Sequence, residues 1–287
     1  MKKYLLVAMA FASVSMIANT VQAADIKFGV QAPRSILKAK AKWSELGKYL
    51  SKETGSKVKI VPLNPSVTVK SVAAGKVDIM LSNPVIAVVL TKNHGATTVA
   101  TLKRKSGAQF AGVIISKKGS GITTAANTKG KKGMAFKFKK SAAAYVFQVK
   151  HLKDKGIDPH KDFSSFKQAK KQDDIVMAVK SGLIDVGFVK SGLLEAMAKE
   201  GKISLSDFHI IDSASDSLKK VHSTILYPEW TATASSKTDA ATIASVRKAL
   251  LKLTADSAAS KKAGIKGFVA PLDLSGLQGT LESLNLL

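Results

Sequence analysis

Apolar residues alternate at Ile26, Phe28 and Val30, the two-residue period of a half-buried strand. From Pro33 to Thr54 the period lengthens. Ile36, Leu37, Trp43, Leu46, Tyr49 and Leu50 fall on one helical face, and Gly55 ends the run. Val58 to Leu63 reads as a second strand, Ser66 to Ala74 as a helix closed by Gly75, and Val77 to Leu81 as an apolar strand. Ser82-Asn83-Pro84 follows; Pro84 suits a first helical turn, and Asn83 or Ser82 can cap it. Thr97 to Leu102 predicts another short strand.

The alternation then restarts. Phe110 to Ser116 and Gly133 to Phe138 read as strands, the second leading through Lys139-Lys140-Ser141 into a helix to about Lys155. Strands are expected at Phe163–Lys167, Ile184–Val189, Phe208–Ile211 and Val221–Tyr227. Helices are expected at Asp173–Lys180, Ser191–Glu200, Thr238–Thr254 and Leu277–Leu284. Two successive β-α-β-α-β series predict an α/β protein with mostly parallel sheets. Extended crossovers near Phe110–Ser116 and His222–Pro228 would join two lobes and leave a cleft between them. Ligands of open α/β sheets bind beyond the carboxyl ends of the strands, where helix N-termini point.

Lys2 and Lys3, the apolar run Tyr4–Ala18 and the small-x-small pattern Val21-Gln22-Ala23 predict an export signal over residues 1–23, cleaved near Ala23. The run is short for a membrane span, and no later stretch approaches ~20 apolar residues. Among 287 residues there is no cysteine, which excludes a disulfide scaffold, a thiolate metal site and a cysteine nucleophile. An exported chain with no cysteine to lipidate points to a periplasm.

The charge changes the picture next. Lys+Arg number 45 against 20 Asp+Glu, a formal +25. Arginine occurs only at Arg34, Arg104 and Arg247, so the rest is lysine, and aromatics make up 6%. Nucleic-acid recognition favours arginine forks and stacked aromatics, so that class is disfavoured. A lysine surface either solvates the protein or concentrates small anions.

Three strand-to-helix junctions carry candidate anion chemistry. The segment Lys129–Lys140 (KGKKGMAFKFKK) holds six lysines and no acid. Lys139, Lys140, the Ser141 hydroxyl and the backbone from Ala142 would converge at a helix N-terminus, a ready anion site; the same lysines would also suit a solvated edge strand. Ser82-Asn83 offers a second such junction or a plain N-cap. Lys190-Ser191 is a third. Catalytic motifs are not found: there is no HExxH, Walker loop or GxSxG, and His94, His151, His160, His209 and His222 are scattered. Asp173-Asp174 suits the first turn of a helix. No enzyme, cofactor or metal is expected.

The opening FGVQAPRSILKAKAKWSELGKYLSKETGSKVKIVPL, the VDIMLSNP junction, SGLIDVGFVKSGLLE and HSTILYPEW (His222–Trp230), followed by Val269–Asp273, resemble the phosphate/phosphite/phosphonate-type solute-binding proteins of ABC transporters. The similarity lies nearest the branch that forms the periplasmic sensor region of tetrathionate-type histidine kinases. It implies a type 2 periplasmic-binding fold, two α/β lobes on a two-strand hinge. Residues 24–110 and 224–287 would build lobe 1, and 111–223 lobe 2. It carries ligand contacts onto Ser82 and Asn83 in the first lobe and onto Lys139, Lys140, Ser141, Ala142, Lys190 and Ser191 in the second, with Tyr227 and Trp230 near the crossover. Compared with the family, the helix start has fewer hydroxyls and more charge, Gln172-Asp173 stands where many members have a histidine, and Val85 where many have glycine. The expectation is a monomeric periplasmic protein that captures a small oxyanion for an ABC permease or a membrane sensor kinase. The rival expectation is a basic interaction protein that docks an acidic redox protein or an anionic membrane surface.

Overall fold

The computed structural model describes residues 25–32 and 35–287. The export segment expected at 1–23 lies outside them, as do Pro33 and Arg34.

In chain order the first series is β1 (Ile26–Gln31), α1 (Ile36–Thr54), β2 (Val58–Leu63), α2 (Pro65–Ala73), β3 (Ile79–Ser82), α3 (Pro84–His94) and β4 (Thr97–Lys103). The chain leaves through β5 (Gln109–Phe110). A second series follows: β6 (Gly112–Lys117), β7 (Lys132–Phe136), α4 (Phe147–Lys153), α5 (Pro159–Asp162), β8 (Ser165–Ala169), α6 (Gln172–Ser181), β9 (Val186–Lys190), α7 (Leu193–Lys199) and β10 (Phe208–Ile210). It returns through β11 (Tyr227–Pro228) to β12 (Thr231–Ala234), α8 (Ala240–Lys252), α9 (Ala258–Ala263), β13 (Gly267–Val269) and α10 (Ser275–Ser283).

The strands form two main sheets, ordered β13-β4-β12-β3-β1-β2 and β10-β6-β9-β7-β8. Each centres on one lobe of a type 2 periplasmic-binding fold. The parallel part of each is confined to three strands, β2-β1-β3 and β8-β7-β9; the remaining pairings are antiparallel. The sheets are therefore more mixed than the alternating pattern predicts. The returning strand β12 runs against both β3 and β4 because it re-enters the sheet from the other lobe.

Local chemistry explains the boundaries. Ser35 Oγ accepts the Lys38 N–H at 3.3 Å to start α1, and Gly55, at φ 72°, ends it. Helix α1 buries Trp43, Leu46 and Leu50 against β1, whose Phe28 and Val30 are fully buried. The opposite face of this sheet packs Val72, Met80 and Leu90. In lobe 2 the sheet separates a cluster around Ile114, Phe147 and Phe188 from one around Ile115, Val179 and Leu194.

The crossovers are shorter than expected. β5 and β11 pair antiparallel, Phe110 opposite Tyr227 and Gln109 opposite Pro228, as the two-strand hinge. Phe110–Ser116 is not one strand: it breaks at Ala111 between hinge and sheet. Val221–Ile225 is not strand either, for a specific reason. The Ser223 and Thr224 hydroxyls accept the N–H groups of Ile114 and Gly112, both at 2.9 Å, doing beside β6 what strand carbonyls would do. Helix α10 crosses near the hinge. Its Leu277 and Leu281 share one apolar cluster with Val85 and Val88 of lobe 1 and Phe147 of lobe 2.

Phe28 sits at the centre of β1 with no solvent exposure. Truncating it leaves a cavity that a sheet pinned on both sides cannot close. Phe28→Ala should cost about 3–5 kcal/mol, read from urea unfolding; a loss below ~1 kcal/mol would contradict this account of the core.

Candidate anion-binding cleft

The carboxyl ends of β1, β3, β7, β8 and β9 open on one gap between the lobes, of about 890 Å³. Gln31, Asn83, Phe136, Lys170 and Lys190, at or just beyond those ends, all line it. Lobe 1 also contributes Ser35 and Lys38 from the start of α1, together with Arg104 and Trp230 near the hinge. The two α/β series thus place their helix starts face to face, as strand-end geometry requires.

The segment after β7 is the most unusual part of the wall. The expected strand to Phe138 stops at Phe136, and Lys137–Lys140 turn sharply, with Lys137 at φ 44° and Lys139 at φ 63°. The turn is anchored by Phe138, which stacks on Tyr145 and Phe166 at 4.9 and 4.7 Å between ring centroids. Tyr145 Oη lies 2.7 Å from His160 Nε2. Burial pushes the Tyr145 phenol up to about 12, and burial also holds the His160 imidazole below its ordinary value, so both stay neutral near pH 7.

The expected helix from Ala142 does not begin regularly. Ala142–Val146 form a wide turn in which the Val146 N–H reaches back five residues to the Ser141 carbonyl at 3.0 Å. Ala143 (ψ 16°) and Ala144 (ψ 23°) are not helical, and regular α4 starts at Phe147. Ser141 has N-cap backbone geometry, yet its hydroxyl caps nothing. Among the described residues the N–H groups of Ala142, Ala143 and Ala144 meet no protein acceptor. All three alanines are buried and line the gap. Unpaired buried N–H groups are rare, so three on residues that line one cavity form a row of donors open to an acceptor.

Gln148 fixes this turn from behind. Fully buried, its Nε2 approaches the carbonyls of Ala143 (2.9 Å), Val189 (2.8 Å) and Val113 (3.3 Å), while Oε1 is buried without a partner. Its amide lies against Gly112; a β-carbon there would stand 2.6 Å from Gln148 Cδ. Gly112 therefore makes the clamp sterically possible.

Of the ten site residues expected from the sequence, Asn83, Lys140, Ser141, Ala142, Lys190 and Trp230 line the gap. Asn83 is committed as a cap: its Oδ1 accepts the Val85 and Ile86 N–H groups, and its own N–H groups reach Gln31 Oε1. Four residues lie elsewhere. Ser82 is fully buried, its hydroxyl spent on the Asn83 carbonyl. Lys139 points from the sharp turn into solvent, outside the lining. Ser191 Oγ accepts the Ala111 N–H at 3.1 Å, tying lobe 2 to the hinge rather than starting a helix; α7 begins at Leu193. Tyr227 is buried in the hinge, stacked on Phe147 at 3.9 Å, with its hydroxyl 3.2 Å from Thr280 Oγ1.

Sequence reading missed Gln31, Lys38, Arg104, Gln148 and Glu229. Arg104 was visible as one of few arginines in a lysine-rich chain. Its Nε bonds Glu229 Oε1 at 2.6 Å, and Glu229 is 5% exposed. Gln172, where related proteins were expected to carry histidine, accepts the Lys190 N–H at 3.0 Å. Lysine and arginine outnumber the carboxylates of the lining, which are Asp173 and Glu200.

A family model described as "ABC transporter, phosphonate, periplasmic substrate-binding protein" matches residues 28–274. The tetrathionate sensor histidine kinase TtrS of Salmonella typhimurium is 28% identical over 225 residues. That match covers 76% of this chain and 38% of the kinase, so the chain spans well under half of that relative. Among solved structures, a Xanthomonas citri protein bound to ATP superposes with a TM-score of 0.75 at 17% identity, covering 91% of this chain and 98% of that one. PhnD1 of Prochlorococcus marinus in complex with methylphosphonate gives 0.71 at 15% identity, covering 92% and 99%. A binding-protein component of a phosphonate transporter from Pseudomonas aeruginosa gives 0.66 at 19%, covering 91% and 85%. At these identities the structures share the fold.

The Gln148 clamp generates a prediction of its own. Gly112→Ala drives a methyl group into the buried amide and should destabilise the protein by about 1–3 kcal/mol, seen as a lower denaturation midpoint. An unchanged midpoint would mean that Gln148 leaves its slot freely.

Proposed function

The chain belongs to the periplasmic phosphonate substrate-binding protein family of ABC transporters, and from that premise we propose that it captures a small oxyanion between its lobes. The observation that carries this reading is the row of unpaired N–H groups at Ala142–Ala144 beside the uncommitted Ser141 hydroxyl. A tetrahedral oxyanion presents several acceptor oxygens to such a row. Charge-assisted hydrogen bonds of this kind contribute ~1.5–3 kcal/mol each. Lys140 and Lys190 add Coulomb attraction from the same lobe, and Lys38 and Arg104 from the other.

The mechanism is binding rather than bond chemistry. Oriented N–H groups, a hydroxyl and cationic side chains replace the hydration shell of the anion. A ligand held from both lobes stabilises the closed form by its differential affinity, and the β5–β11 hinge supplies the motion. The loaded protein then presents its anion to a membrane partner. The family points to an ABC permease, and the similarity to a sensor kinase points to a membrane sensor. The cleft geometry favours this reading over docking of an acidic partner, because surface docking gives no use for three buried, unpaired N–H groups.

Two experiments test it. Isothermal titration of the folded protein against phosphate, phosphite, methylphosphonate, sulfite, thiosulfate and tetrathionate should give saturable binding of at least one; no binding of any would overturn the reading. Ser141→Asp places a carboxylate where the anion would sit. It should weaken that binding at least ~100-fold, equivalent to ~2.7 kcal/mol, with an unchanged circular dichroism spectrum. Retained affinity would put the site elsewhere.

A further inference from the structure

The end of lobe 2 opposite the cleft carries a charged patch that anion capture does not use. Strand pairing puts Ser116 of β6, Val186 of β9 and Gly133 of β7 at one level, so Lys117, Asp185 and Lys132 stand together where the parallel strands β7 and β9 begin. Phe136 and Lys190, at the other ends of β7 and β9, line the cleft. Lys118 follows Lys117, and its N–H is held by the Asp207 carbonyl at 2.9 Å. Lys129 and Lys131 flank Gly130, whose N–H reaches the Asp162 carbonyl at 2.7 Å, so Lys161 joins them. Six lysines from three segments thus meet at one end of the sheet. Five are exposed, and Lys131 is partly so.

Their charge is not neutralised locally. Among the described residues, no ion pair engages any of the six. Asp158 pairs with Lys153 at 3.1 Å and Asp207 with Lys180 at 2.9 Å, so these carboxylates already have cations. Asp185 accepts the Lys132 N–H at 2.8 Å, and Asp162 accepts the Asp158 N–H at 2.6 Å. Setting both in full against the patch still leaves a clear positive excess. Two exposed leucines stand in the same loops. Leu183, 69% exposed, follows Gly182, and Lys117 Nζ lies 3.9 Å from the position a Gly182 β-carbon would take. Leu205, 41% exposed, opens the short turn that ends at Asp207.

The mixture of residues selects a partner. Protein interfaces favour arginine and aromatic side chains and are depleted in lysine. Nucleic acids are held by guanidinium forks and stacked rings. Lysine point charges around exposed leucines suit an anionic bilayer, where ammonium groups meet phosphate headgroups and apolar side chains enter the interface. We propose that this end of lobe 2 docks on the surface of an anionic phospholipid membrane, with Leu183 and Leu205 entering the headgroup boundary. Docking is additional to capture in the cleft: it holds the protein beside its membrane partner while the cleft stays at the far end of the lobe. It is independent of the oxyanion reading, since none of these residues lines the gap.

Co-sedimentation of the exported protein with vesicles tests this. Vesicles of phosphatidylethanolamine and phosphatidylglycerol in a two-to-one ratio should bind it and vesicles of phosphatidylcholine alone should not, with binding weakened at least ~10-fold as salt rises from about 50 to about 300 mM. Combining K117Q, K118Q, K129Q and K132Q should weaken binding at least ~10-fold and leave anion affinity in the cleft unchanged. Leu183→Ser should weaken it about threefold with the same salt dependence. The same loss of charge at exposed lysines of lobe 1, by K52Q, K57Q, K261Q and K262Q, should change it less than about twofold. Wild type and variants share residues 1–24, so the comparison reports on this face. No binding to the anionic vesicles at low salt would overturn the proposal. An equal loss in the lobe 1 variant would overturn the assignment to this face. Binding to polyglutamate but not to the vesicles would make the partner an acidic protein and overturn the lipid assignment.

Discussion

Three backbone N–H groups with no protein acceptor among the described residues, on alanines that line the gap between the lobes, are the feature around which the second lobe is arranged. Leaving such groups unpaired is costly when buried, since the first N–H groups of any helix have no partner within it, and the surroundings hold them in place. Each neighbour contributes. The wide turn at Ala142–Val146 opens the backbone, Gln148 pins the Ala143 carbonyl, and Gly112 leaves room for Gln148. In front, Phe138 stacks into an aromatic cluster and anchors the strained turn at Lys137–Lys140. The run of alanines matters as well: larger side chains at Ala142–Ala144, which line the gap, would take up part of its space.

The first lobe supplies the complementary half. Its helix starts at Ser35 and Asn83 face the same gap, but Asn83 spends its amide on capping α3 and bonding Gln31. Lobe 1 therefore offers charge and shape more than open N–H groups. Short strands join the lobes, and three devices keep that meeting ordered. β5 pairs with β11, the Ser223 and Thr224 hydroxyls stand in for a missing strand beside β6, and α10 wedges its Leu277 and Leu281 between the halves. A hinge built from two residue pairs can bend while the flanking sheets stay rigid.

Much of this was legible in the chain. The alternation at Ile26–Val30, the helical face through Trp43 and Leu50, and the Asn83-Pro84 cap map directly onto β1, α1 and α3. What failed, failed for local reasons. Val221–Tyr227 has the apolar and hydroxyl content of a strand, yet its hydroxyls do the bonding, which no periodicity reveals. Lys139 and Ser191 sat at the right junctions, but a positive φ turned one outward and the Ala111 N–H occupied the other. Arg104 and Glu229 lie 125 residues apart in sequence and meet only because β4 and β11 converge at the hinge. Gln148 carries no signal at all in sequence; its role exists only once Ala143, Val113 and Val189 are brought around it.

The account stands or falls on whether the row at Ala142–Ala144 is where the anion is held. Backbone amide resonances of these three residues, followed by ¹⁵N NMR during titration with methylphosphonate, report on that contact directly. If the row is the site, the three amide protons move downfield together, with the midpoint of the calorimetric isotherm, and their exchange with solvent slows. Saturation of the calorimetric signal with these three resonances unmoved would contradict it.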